Sequence, residues 1–236
     1  MTTSTSAPAR TTDTSALPAR TPRRRSLLTV PTVAGLAYSA SWLVGLTVSP
    51  SSTNVRSTGA EVVAAYAGHQ ASGATQYLLT EGTASLALAV VVIAVGRAGL
   101  RAGAGRAARL TLGAALAAAA IALVQCGLGL YLTLSAVPAD HIGAAAAVSE
   151  TVTRLDGVKM FVLATMAAAG TAMARQTGLL PRWLRWTGVA LVIAIVASGI
   201  GYALLNNTFA LAAWASLPLL LVWVTGAGIA LGRRAR

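Results

Sequence analysis

Three polar side chains stand at matched distances from arginines on three different apolar runs. Glu81 lies 16 residues before Arg97, Gln125 lies 16 after Arg109, and Lys159 lies 16 before Arg175. At the helical rise of 1.5 Å per residue, each is lifted ~24 Å from the arginine level. A carboxylate, an amide and an ammonium at one depth can form an ion pair with an added hydrogen bond, and the same group can hold a small ligand. Charged groups at membrane depth face the interior of a bundle and pair, because an unpaired charge in hydrocarbon is costly. The spacing therefore predicts a Glu81–Lys159 pair, with Arg154 as the second candidate partner and Gln125 bonding into the group. Asp156, three residues before Lys159, competes for the same ammonium, and Glu150 and Arg154 at i,i+4 pair along their own helix. The candidate ligand-contacting residues are Glu81, Gln125, Lys159, Arg154 and Asp156. The plainer role of such a pair is to hold two helices together, with the lysine reaching outward to water.

Elements that could position these residues follow from composition. The chain has 236 residues, 56% hydrophobic and only 10% charged, with a mean hydropathy of +0.69. Soluble domains carry about 25% charged residues, so lipid is the expected solvent for most of this surface. Six apolar runs of membrane-crossing length are expected at about 28–48, 77–96, 110–135, 156–174, 186–205 and 209–231. The fold class is thus an all-α, polytopic membrane protein of six transmembrane helices. Residues 1–26, rich in Ser, Thr, Pro, Ala and Arg, read as a disordered basic tail ahead of a transmembrane domain over 27–235. The run from Leu27 to Val48 is too long for a signal-peptide core and lacks a clear small-residue cleavage site, so it reads as an uncleaved first span.

The net charge of +12 would ordinarily raise nucleic-acid binding. Here it is divided among segments between apolar runs, so no nucleic-acid partner is expected. Fifteen of the 18 Lys and Arg residues fall in the N-terminal tail, at Arg97 to Arg109, at Arg175 to Arg185, and at Arg233 to Arg236. The other side keeps Arg56, Arg154 and Lys159 and five of the six acids. The asymmetry predicts both termini in the cytoplasm. The strong preference for Arg over Lys and the abundance of Ala point to a GC-rich bacterial genome, and hence to the plasma membrane. Trp183 and Trp186 sit where an inner interface is expected, and Tyr77, Tyr131 and Tyr202 near outer ends.

Smaller signals concern the connections. Thr58-Gly-Ala-Glu61 has capping-box spacing and predicts a short helix over about 59–68, with Val62, Val63 and Tyr66 on one face. Asp140 is expected to cap a helix running into the fourth span, and Gly157 to kink it. Gly228 and Gly232 have GxxxG spacing, which permits close helix approach within the bundle. No repeat relates the two halves, so an inverted-repeat transporter is not indicated.

Chemistry-bearing motifs are few. Lone Cys126 reads as a small packing residue, and no metal site or cofactor is expected. His69 and His141, the only histidines, fall in outer loops, where no haem could be sandwiched between spans. Neither a Walker A loop, a GxGxxG, nor an HExxH occurs. The lack of a nucleophile–base pair ranks an enzyme third among the function classes. First comes an interaction or accessory membrane protein whose polar cluster is structural. The alternative is a small transporter or receptor that binds a small or lipidic ligand in an outward-facing pocket near Glu81 and Lys159. Membrane lipids are the expected surroundings, a small ligand or a membrane-protein partner the remaining candidates.

Four stretches also resemble a known family: PTVAGLAYSASWLVG at 31–45, Glu61-Val62 with Tyr66, Asp156-Gly157 with Lys159, and LLPRWLRWTG at 179–188. They are similar to an uncharacterised family of bacterial six-helix integral membrane proteins carrying a domain of unknown function. That resemblance implies a six-helix fold in a membrane and no activity.

Overall fold

The structure is a computed structural model and describes residues 29–48 and 53–234. The segment read as a disordered tail lies outside the described residues. Nine α-helices are described: α1 Val30–Val48, α2 Gly59–Tyr66, α3 Gln70–Tyr77, α4 Ala84–Arg101, α5 Gly105–Tyr131, α6 Ile142–Thr177, α7 Arg182–Ala203, α8 Asn207–Ala210 and α9 Ala213–Arg234. Two π-helical segments, Leu78–Thr83 and Leu132–Ala136, continue α3 into α4 and extend α5. The result is six helical stretches long and apolar enough to cross a membrane: Val30–Val48, Gln70–Arg101, Gly105–Ala136, Ile142–Thr177, Arg182–Ala203 and Asn207–Arg234. This is the architecture of a multi-pass membrane protein.

Packing follows chain order and closes into a ring. Successive spans are neighbours, and α9 returns to pack against α1. The seams are made by small residues. A Cβ on Gly35 of α1 would sit 3.1 Å from Thr225 Cα of α9. At the same seam the Thr225 hydroxyl donates to the Gly35 carbonyl at 2.7 Å and lies 2.7 Å from the Ser39 hydroxyl. Gly228, the first glycine of the GxxxG pair, lies against Pro31, so the motif serves packing inside one chain. Trp223, Met166, Met173, Leu184, Leu191 and Ile195 fill the core. Leucine, isoleucine and tryptophan side chains such as Leu43, Ile193 and Trp186 remain exposed on the outside, where a bilayer would cover them.

One end of the ring carries the arginines. Arg234 donates to the Gly178 carbonyl at 2.6 Å, joining the end of α9 to the α6–α7 turn, where Gly178 takes a left-handed φ of 64°. Thr29 and Thr32 meet Gly232 at that same end. Arg97, Arg101, Arg106 and Arg109 flank the α4–α5 turn, and Met173 lies against Gly99 beside it. Trp183 and Trp186 there are 52% and 70% exposed, as an interfacial position requires.

The opposite end is longer and capped. At 36 residues α6 spans ~54 Å against a hydrocarbon core of ~30 Å, so its first turns overshoot. The predicted capping box is present: the Thr58 side chain accepts from Glu61 N–H, and Glu61 Oε2 accepts from Thr58 N–H at 2.7 Å. The helix it starts, α2, lays Val62 and Tyr66 on the bundle against Leu132, Ala136 and Ala145 rather than on lipid. Asp140 does not cap α6. It adopts a left-handed φ of 52° in the turn before it, a conformation that aspartate tolerates, and the N-cap is His141 without a side-chain bond. Gly157, expected to kink α6, lies within unbroken α-helix. Its role is close approach, since a Cβ there would sit 2.6 Å from Ala203 N of α7.

Candidate functional site

Glu81 lies on the π-helical turn between α3 and α4. The Thr83 hydroxyl donates to the Leu78 carbonyl five residues back, at 3.1 Å, as a widened turn allows. One residue added to a turn rotates what precedes it by ~100° relative to a continuous α-helix. The π turn therefore sets which way Glu81 points relative to α4. Such turns recur at functional sites.

Across the ring, α6 supplies Lys159 and, one turn earlier, Asp156. Lys159 Nζ donates to Glu81 Oε2 at 2.7 Å and lies 2.8 Å from Asp156 Oδ1. The predicted pair therefore exists, with one correction: Asp156 does not compete with Glu81. An ammonium has three diverging N–H donors, so it serves both carboxylates at once. Lys159 and Glu81 are 5% and 7% exposed, whereas the Asp156 side chain is 24% exposed and forms the outer edge of the triad. The other oxygens, Glu81 Oε1 and Asp156 Oδ2, have no hydrogen-bond partner among the described residues. With both carboxylates ionised, the two carboxylates and one ammonium carry one net negative charge.

Two predicted members stand apart. Gln125 is fully buried, but its Nε2 donates to the Val152 carbonyl of α6 at 2.9 Å and its Oε1 has no partner among the described residues. Equal depth did not bring it to the triad, because depth along a rod leaves the direction round the rod free, and an α6 carbonyl is reached first. Arg154 is exposed, pairs with Glu150 at 2.8 Å as the i,i+4 spacing predicts, and donates to the Ala203 carbonyl at 3.4 Å. It makes no contact with Glu81.

The triad opens on a cavity of about 350 Å³ to which all six spans contribute. Tyr38 and Trp42 come from α1, Thr80 and Ser85 from the second span, and Ala118, Ala119 and Ala122 from α5. Met160 and Leu163 from α6, Tyr202 from α7 and Leu217 from α9 complete the wall. The Thr80 and Ser85 hydroxyls are spent on their own helix, at the Gln76 and Gly82 carbonyls. The charged triad thus supplies the charge available to a guest, beside the hydroxyl and indole groups of Tyr38, Tyr202 and Trp42.

A second cavity of about 440 Å³ lies toward the capped end, bordered by Asn54, Tyr66, Tyr77, Ser149 and Asn207. It shares Thr53, Asp156, Tyr202, Ala210 and Trp214 with the first, so the two adjoin, with Asp156 and Tyr202 at the boundary. Sequence reasoning found the charges but missed Tyr38, Trp42, Ser216 and the rest of the wall. Helices α1 and α9 carry no Asp, Glu, Lys, Arg or His at that depth, and alternating apolar and small residues on them give no sign of a lining face. Among the described residues no group of three or more His, Cys, Asp or Glu could hold a metal ion.

No family model matches the chain, and no curated protein or solved structure matches it. The likeness of its short motifs to a six-helix family therefore rests on those motifs alone.

Proposed function

We propose that this chain is a small transporter or receptor that takes a small ligand into the cavity beside Glu81, Asp156 and Lys159 from the non-cytoplasmic side of a bacterial plasma membrane. The observation that carries this reading is the cavity itself. A structural ion pair joining two spans needs no accessible volume, and close packing around it would be the stabilising arrangement. A charged triad bordering about 350 Å³ among six converging helices has the size and make-up of a small-ligand site, roughly 300–1,000 Å³ with few polar groups in an apolar wall. The accessory role, in which the pair only joins helices, leaves that volume without a purpose.

Orientation rests on charge. Arginines crowd one end of the ring and the triad lies toward the other, which by the positive-inside rule supports a cavity mouth outside and both termini in the cytoplasm. Support comes from a third cavity of about 280 Å³ at the arginine end, bordered by Arg175, Arg182, Arg185 and Trp186, a composition suited to anionic headgroups.

Cysteine labelling in intact cells tests access and orientation together. In a Cys126→Ala background, a membrane-impermeant thiol reagent is expected to modify Asn207→Cys quickly and Ser85→Cys more slowly, and Arg101→Cys only after permeabilisation. Modification of Arg101→Cys in intact cells with Asn207→Cys protected reverses the orientation. Protection of Ser85→Cys from both sides, with the protein folded, means a closed cavity and returns the triad to a structural role.

A further inference from the structure

We propose that the ligand of this cavity is a small monovalent organic cation, a protonated or quaternary amine, and that Asp156 is the carboxylate that meets it. The inference rests on the binding reading above and names the chemical class of its ligand. Three observations converge on it.

The first is the charge balance. Among the described residues Lys159 is the only cation bordering the cavity, and it is already engaged by Glu81 and Asp156 at 2.7 and 2.8 Å. With both carboxylates ionised, one negative charge is left over. The other cations of that end are directed elsewhere, Arg154 to Glu150 and Arg56 to the Leu205 carbonyl. An excess carboxylate in an apolar surround is stabilised by a cation of matching charge.

The second is the free valence of the carboxylates. Each gives one oxygen to Lys159, and Glu81, at 7% exposed, has no partner for its Oε1 among the described residues while bordering the cavity. Asp156 is more accessible and borders both cavities, so it lies on the way in.

The third is the wall. Tyr38, Trp42 and Tyr202 border the same space, and Trp214 stands at its margin. Aromatic faces carry negative potential and attract organic cations, most strongly where water is excluded, and this pairing of rings with one carboxylate is how quaternary ammonium groups are recognised. A hydrated metal cation would find the rings useless and too few oxygens. An anion would face the surplus carboxylate.

The test compares choline with 3,3-dimethyl-1-butanol, its uncharged isostere, and with acetate. Each is titrated against the purified full chain in lipid nanodiscs, followed by tryptophan fluorescence and by thermal unfolding. Choline is expected to bind at least ten-fold more tightly than the alcohol, and acetate not to bind. Asp156→Asn removes the surplus charge, and in that variant the preference for choline over the alcohol should shrink several-fold, the remainder being that of the aromatic wall, while the alcohol binds as before. Should Asp156→Asn fail to fold, Trp42→Leu provides the second arm and should weaken choline more than the alcohol. Equal binding of choline and the alcohol, a preference for acetate, or undiminished choline preference in Asp156→Asn overturns the cation assignment and leaves the binding cavity standing. If none of the three compounds binds at all while the Ser85→Cys probe is reachable from outside, the cation assignment is overturned alone; if that probe is also unreachable, the binding reading fails with it.

Discussion

Replacing Lys159 with methionine removes the one positive charge of the triad while keeping much of the side-chain volume. Lys159 is 5% exposed, and its ammonium lies 2.7 Å from Glu81 and 2.8 Å from Asp156. Deleting one partner of a buried pair typically costs about 3–5 kcal/mol, because the other charge stays buried without compensation. Here two carboxylates are left facing each other. Glu81→Gln is milder: Lys159 keeps Asp156, and the cost is that of a weakened charged hydrogen bond, about 1.5–3 kcal/mol. In the double variant only Asp156 remains charged, and at 24% side-chain exposure it has access to water. The double variant should therefore be less destabilised than the sum of the singles by about 2 kcal/mol. Equilibrium unfolding of the purified chain in mixed micelles measures all four corners of the cycle. Additivity within about 0.5 kcal/mol, the usual result for independent sites, would refute the pairing and the energetic reading of the triad. A charge exchange between positions 81 and 159 is a poorer test of the pair. It sets the new carboxylate beside Asp156, so the exchange should rescue stability only when Asp156→Asn is added.

The remaining predictions concern seams and caps. Gly157→Ala should destabilise the bundle by about 1–3 kcal/mol, because its Cβ would meet Ala203 backbone at 2.6 Å; an unfolding midpoint equal to wild type would show that α6 and α7 are not packed as described. Thr58→Ala should cost about 1 kcal/mol, confined to α2, and should speed amide exchange at the start of that helix without altering the spans; uniform loosening of the whole bundle would contradict a local capping role.

Legibility in the sequence varied with the kind of information each residue carries. Six spans could be read because hydrocarbon demands long uninterrupted apolar helices, a one-dimensional requirement written directly in residue order. The capping box was legible for the same reason, since Thr58 and Glu61 interact through local backbone. Glu81 with Lys159 was legible because each is expensive to bury alone, so each implied the other. Gln125 misled: its amide finds a satisfactory carbonyl on any neighbouring helix, and depth does not select which. Asp140 misled because its capping competence was overridden by the left-handed turn that joins the second π-helical segment to α6.

Residue order by itself determined that the chain is helical, how many times it can cross a membrane, which ends carry the charge asymmetry, and that a buried acid and base should meet. Tertiary structure alone decided that both carboxylates share one lysine, that the spans close into a ring, and that a cavity with aromatic walls adjoins the charges. The division has a physical cause. Apolar length and the cost of a lone charge are properties of single segments, whereas the direction of a side chain around its helix axis depends on local twist, here reset by a π turn, and on which neighbours six packed rods present to it.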